Sequence, residues 1–193
     1  MPWPVVLASA SPRRQELLRR LVPEFDVVPA HVDEDALTVE DPFVTAQKLA
    51  REKALVVASS RPESLVVAGD TVVALQNGNG WRQLAKPIDE ADAVAMLNLL
   101  AGRTHTVVTG VCLRWPGGLS AFTEASQVTF RALKMGEAEA YVATGSPMDK
   151  AGAYGLQDGS QSFVEKVEGS VTNVIGLPME RLEEAFVSLT AKK

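Results

Sequence analysis

The segment from Val5 to Leu21, VVLASASPRRQELLRRL, gathers two serine hydroxyls, Ser9 and Ser11, and two guanidiniums, Arg13 and Arg14, around the start of a helix. An apolar run from Val5 to Ala8 reads as a buried strand, and Pro12 opens a helical pattern with Leu17, Leu18 and Leu21 on one face. Proline suits the first helical turn, where its missing N–H has no partner to lose. A helix N-terminus presents unpaired N–H groups and a partial positive charge, which suits an anion. Arginine in the first turn opposes that dipole, and a bound phosphate would account for it. A serine N-cap with two solvated arginines gives the same local pattern.

Other charges interrupt apolar patterns. Asp70 divides LVVAGDTVVAL, and a carboxylate in a buried strand is costly unless paired, hydrogen-bonded or metal-bound. The alternative is an exposed corner at Gly69–Asp70 between two strands. Lys53 falls on the stripe that Phe43, Ala46, Ala50 and Val57 mark as the buried face of a helix. It either snorkels to water or reaches a polar pocket where a point charge suits a phosphate oxygen. Lys86 precedes Pro87, which biases it to an extended backbone. Asp33, Glu34 and Asp35 form an acidic turn, and His105, alone in a strand pattern, reads as structural. The P-loop signature and the dinucleotide-binding glycine motif are both absent.

The elements that must position these residues alternate between strand-like and helical runs. Strands are predicted at 25–30, 65–69, 71–75, 104–115 and 119–133, with a hairpin turn at Pro116–Gly117–Gly118 and a short strand before Lys86. Helices are predicted at 42–58 after Asp41, from Asp89 to Leu100, at 136–143 and at 179–190. The Gly-rich polar stretch 145–159 reads as a functional loop. The mixed order of elements favours one α/β domain spanning 1–193, built on a long mixed sheet rather than a doubly wound parallel one.

Composition narrows the chemistry. The chain has 193 residues, 46% of them hydrophobic, and a net charge of −5, which argues against a general nucleic-acid coat. With one cysteine, Cys112, in an apolar pattern, no disulfide can form within the chain, as expected of a reducing compartment. The two histidines, His31 and His105, exclude a histidine-rich metal site. A divalent ion would need carboxylates, which favours magnesium or manganese over zinc. The N-terminal apolar run is too short for a signal or a membrane span. A cytoplasmic protein is the expectation.

Nine segments occur in register: ASASPRR at 8–14, VDE at 32–34, AREKA at 50–54, AGDTVV at 68–73, Ala85–Lys86–Pro87, GRTHTVVTGV at 102–111, VTFRAL at 128–133, DKAGAYGLQ at 149–157 and NVIGLP at 173–178. Together they resemble the Maf family of nucleoside triphosphate pyrophosphatases over nearly the whole chain. The resemblance implies a Maf/Ham1-like fold, similar to inosine triphosphate pyrophosphatase: an elongated mixed sheet flanked by helices, with two lobes around a cleft. It implies hydrolysis of a nucleoside triphosphate to the monophosphate and pyrophosphate, with magnesium or manganese.

DKAGAYGLQ resembles the branch acting on dTTP and UTP, or on modified pyrimidine nucleotides, although glycine is also common there at the position of Asp149. Arg13, Thr71 and Gln157 match that branch's specificity positions. A carboxamide at Gln157 can complement the N3–H donor and O4 acceptor of uracil or thymine, and cytosine presents the opposite pattern. The resemblance assigns Asp70 as proton acceptor and Glu34 with Asp70 to the metal. It assigns Ser9, Ser11, Arg13, Arg14, Lys53 and Lys86 to the phosphates. Two alternatives stand beside it: a 7-methyl-GTP pyrophosphatase of the same fold, and a non-catalytic nucleotide-binding regulator of septum formation and cell division. A homodimer is the expectation for enzymes of this kind, with no nucleic-acid or membrane partner.

Overall fold

The computed structural model describes residues 2–191. Val5–Leu7 forms β1, and Ser11 caps α1 (Pro12–Arg19) by accepting from the Arg14 amide at 3.4 Å. The predicted strand at 25–30 is only two residues long, β2 (Asp26–Val27). The acidic turn is a single helical turn, α2 (Glu34–Leu37), because the Asp33 carboxylate accepts the Ala36 amide at 3.0 Å and caps it. Asp33 is thereby committed to the backbone, and Glu34 is left for the cavity. The long helix α3 (Pro42–Ser60) starts at Asp41, which accepts the amides of Phe43 and Val44.

The two strands predicted around Asp70 are one continuous strand, β3 (Leu65–Asn77). Gly69–Asp70 makes no corner there, because β5 pairs straight through it: Gly69 faces Val111 and Asp70 faces Gly110. The remaining elements are β4 (Gly80–Leu84), α4 (Glu90–Leu100), β5 (Thr104–Trp115), β6 (Gly118–Phe130), α5 (Glu137–Val142), β7 (Val164–Glu168), α6 (Val171–Ile175) and α7 (Met179–Ala191). Three 3-10 turns lie between Ser146 and Phe163, the first two in the segment 145–159 predicted as a loop and the third, Ser160–Phe163, just after it. The edge strand β7 and the one-turn helix α6 escape the sequence pattern, being five residues each.

The sheet runs β2-β1-β3-β5-β6-β7, with β4 also on β3. β1 lies parallel to β2 and β3, and every other pair is antiparallel. β1 and β4 share one edge of β3. β1 covers Leu65 to Val67 and β4 covers Val73 to Asn77, so neither pairs with Ala68 to Val72. That gap in the ladder divides the molecule.

On one side of the gap, α1 and α7 pack Leu17, Leu18, Leu182 and Phe186 against Val5, Leu7, Leu65 and Val67. On the other, Leu97 and Leu100 of α4 join Val73, Leu84, Phe130, Tyr154 and Phe163. Helix α3 covers the opposite face, placing Ala50, Ala54 and Val57 on Val66, Ala68 and Cys112. Phe43, predicted on that buried stripe, is instead 36% exposed and meets Trp81 edge-on.

Candidate active site

Period-two alternation along β3 sends Asp70 to the α3 face and Thr71 to the opposite face. Both reach one cavity because the strand edge between them is unpaired. The cavity has a volume of about 780 Å³, within the range of small-molecule sites. All ten residues proposed from sequence line it: Ser9, Ser11, Arg13, Arg14, Glu34, Lys53, Asp70, Thr71, Lys86 and Gln157.

On the α3 face, Lys53 does not snorkel. Its ammonium donates to Asp70 Oδ1 at 2.5 Å and to Glu34 Oε1 at 2.6 Å. Lys53 and Asp70 are 9% and 8% exposed, so the pair is withdrawn from bulk water. The approach depends on Gly110, the register partner of Asp70: a Cβ there would lie 2.2 Å from the Ala46 carbonyl oxygen. The helix backbone therefore rests directly on β5, and Lys53, two turns beyond Ala46, reaches the strand beneath. Partial burial works to raise the Glu34 carboxyl, but the hydrogen bond and charge of Lys53, with Lys86 and Arg14, outweigh it and lower its pKa. Lys86 Nζ stands 4.0 Å from Glu34 Oε2 and is largely exposed.

On the opposite face, the structure separates the two arginines. Arg14 turns inward and is held by neutral acceptors: Nε donates to the Gly176 carbonyl at 2.8 Å, Nη1 to Ser9 Oγ at 3.3 Å and Nη2 to Thr71 Oγ1 at 3.0 Å. Of its five N–H donors, two remain, and no carboxylate among the described residues pairs with it. Burial lowers the pKa of its guanidinium, with Asp70 pulling the other way. A withdrawn cation with free donors is an anion site.

Arg13 instead contacts carboxylates, Asp158 at 3.2 Å and Asp149 at 3.4 Å. The same two aspartates pair with the buried Lys150, at 3.2 and 2.6 Å, and its ammonium also donates to the Ser146 carbonyl. This cluster ties α1 to the segment that carries Gln157, which is exposed at the rim. The segment is anchored from behind by Tyr154, whose hydroxyl lies 2.7 Å from Nε2 of the buried His105. His105 is structural, as its strand setting predicts, and burial pushes its pKa down to about 4. Lys150, Asp158 and Thr109 were not singled out in the sequence. Lys150 pairs within its own aperiodic segment. The Arg13 partner of Asp158 and the partners of Thr109 lie far away along the chain, and only the alternation TVVTGV around Thr109 hints that its side chain points inward.

The family model described as Maf-like protein matches residues 4–189. A Koribacter versatilis protein named dTTP/UTP pyrophosphatase is 47% identical over 178 residues, covering 92% of this chain and 90% of its own. One from Geobacillus sp. with the same name is 44% identical over 177 residues, covering 92% and 93%. Among solved structures, the Staphylococcus aureus Ham1 protein superposes with a TM-score of 0.55 at 18% identity, covering 95% of this chain and 97% of that one. A HAM1 protein from Coxiella burnetii gives 0.51 at 13% identity, covering 96% and 99%. These two share the fold: a mixed sheet flanked by helices. The model match and the identity to these relatives, both over almost the whole length, show that the chain belongs to the Maf family.

Proposed function

We propose that this protein hydrolyses dTTP and UTP to the nucleoside monophosphate and pyrophosphate. The observation that carries the reading is the meeting, at one unpaired strand edge, of the Asp70 carboxylate and the Arg14 guanidinium within one cavity. The relatives named dTTP/UTP pyrophosphatase support the substrate.

Asp70 takes a proton from the attacking water, whose oxygen bonds to the α-phosphorus as the bond to the bridging β-phosphate oxygen breaks. Pyrophosphate leaves with that electron pair. Arg14 and Lys86, with the Ser9 and Ser11 hydroxyls, stabilise the charge that gathers on the leaving group and the phosphoryl oxygens. Lys53 pairs with both Asp70 and Glu34 and holds them in place. Arg13, Thr71 and Gln157 select the base, with Gln157 matching the N3–H and O4 of uracil and thymine.

Glu34 and Asp70 would hold a divalent cation through the oxygens not bonded to Lys53, whose ammonium occupies the point between Glu34 Oε1 and Asp70 Oδ1. Two carboxylates are hard ligands suited to magnesium or manganese. Among the described residues no third His, Cys, Asp or Glu joins them, so phosphate oxygens and water would complete the shell, as is usual for magnesium. When bound, the ion supplies positive charge against the phosphoryl oxygens.

A substrate panel with magnesium or manganese tests the reading. The expected result is pyrophosphate from dTTP and UTP, well above the yield from CTP, ATP, GTP and 7-methyl-GTP. Orthophosphate as the primary product, or preference for 7-methyl-GTP, would contradict it. No turnover of any nucleotide would favour the regulatory alternative.

A further inference from the structure

Arg14, Thr71, Thr109, Asn173 and Gly176 close a ring of hydrogen bonds that joins α1, β3, β5 and the end of α6. Arg14 Nη2 donates to Thr71 Oγ1 at 3.0 Å, and the Thr71 and Thr109 hydroxyl oxygens lie 3.0 Å apart. Thr109 donates to the Asn173 carbonyl at 2.9 Å. That carbonyl also accepts the Gly176 amide at 3.0 Å, and the Gly176 carbonyl accepts Arg14 Nε at 2.8 Å.

Counting hydrogens gives the ring a direction. A hydroxyl has one hydrogen, and that of Thr109 is committed to a carbonyl, which cannot donate in return. Thr71 must therefore donate to Thr109, and its own oxygen accepts from Arg14. Thr71 lines the cavity, whereas Thr109 is fully buried and does not.

We propose that Thr109 is a positioning residue for the reaction. By taking the hydrogen of Thr71 it turns the Thr71 lone pairs toward Arg14 and fixes the guanidinium that receives phosphate. It also leaves Thr71 an acceptor only, so any substrate group that meets Thr71 must donate to it. The inference rests on the triphosphate reading above.

Thr109→Val preserves the shape of the side chain and leaves the Asn173 carbonyl bonded to Gly176. It leaves the Thr71 hydroxyl without its fixed acceptor, so the Thr71 lone pairs are no longer held toward Arg14. Thr109→Val is expected to lower kcat/KM for dTTP about tenfold, the scale of one misdirected hydrogen bond to a charged group. Thr109→Ser keeps the hydroxyl and is expected to stay within about twofold of the parent, although its lost methyl lowers Tm. Thr109→Ala differs from Thr109→Ser by the hydroxyl alone, so this pair repeats the test should the valine variant not fold. Equal rates in the valine variant and the parent, or in the serine and alanine variants, overturn the proposal. Calorimetric binding of tripolyphosphate to the same variants separates this inference from the function on which it rests. Affinity that falls with loss of the hydroxyl, in a protein that hydrolyses no dTTP, supports the ring and refutes the function. Unchanged affinity and rate in a protein that does hydrolyse dTTP refutes the ring alone.

Discussion

Asp70 shows how one residue acquires its chemistry from its surroundings. A carboxylate in mid-strand is tolerated because Lys53 pairs with it and the ladder is open on one side, which admits water and substrate while apolar neighbours exclude bulk solvent. Asp70→Asn retains an acceptor for Lys53 but cannot take a proton. It is expected to lower kcat on dTTP at least about 100-fold, the scale of a lost general base, with the circular dichroism spectrum unchanged. An active Asp70→Asn protein would show that the base lies elsewhere. Asp70 was legible in the sequence because it breaks an apolar run, and Lys53 because it sits on a buried stripe. The pairing of Lys53 with both Asp70 and Glu34 was not, since no local pattern records which carboxylate a lysine meets. The local residue pattern treats the two arginines alike, and the family resemblance adds only Arg13 to the specificity positions. Tertiary contact, with Gly176 and Thr71 for Arg14 and with Asp149 and Asp158 for Arg13, separates them physically.

Among the elements, the contact between α3 and β5 decides whether the site exists. Gly110 is needed for lack of a side chain, since helix backbone occupies the place of its Cβ. Gly110→Ala is expected to destabilise the protein by about 3 kcal/mol in urea unfolding, at the upper end for an overpacked core. Activity is expected to fall further than stability explains, as Lys53 moves away from Asp70. A Gly110→Ala protein as stable as the parent would mean that the helix does not rest on the strand. Long periodic elements such as α3, α4, β5 and β6 were legible from the sequence to within a few residues. The single strand β3 was not, because its continuity through Gly69–Asp70 comes from pairing with β5, forty residues away in the chain. The short elements α2, α6 and β7 are made by a capping aspartate, a capping serine and a sheet edge rather than by periodicity.

At the scale of the whole molecule, two packed halves share one sheet and leave the cavity between them, with no described helix long and apolar enough to cross a membrane. The half that carries the Gln157 segment depends on His105 remaining neutral beside Tyr154 and Phe130. Its folded pKa, about 4, lies below the ordinary 6.5, so between these values the unfolded chain binds a proton that the folded one does not. Stability therefore falls as pH drops from 6.5 toward 4, by about 3 kcal/mol from this group. A His105→Gln variant is expected to lack that part of the acid loss in urea titrations at pH 7 and pH 4. An equal loss in parent and variant would remove His105 from the account.

The claim that joins all three scales is attack by water on the α-phosphorus beside Asp70. Hydrolysis of dTTP in ¹⁸O-labelled water, read by mass spectrometry, tests it most directly. The account predicts the label in the nucleoside monophosphate and none in pyrophosphate. Label in pyrophosphate, or release of labelled orthophosphate, would contradict it.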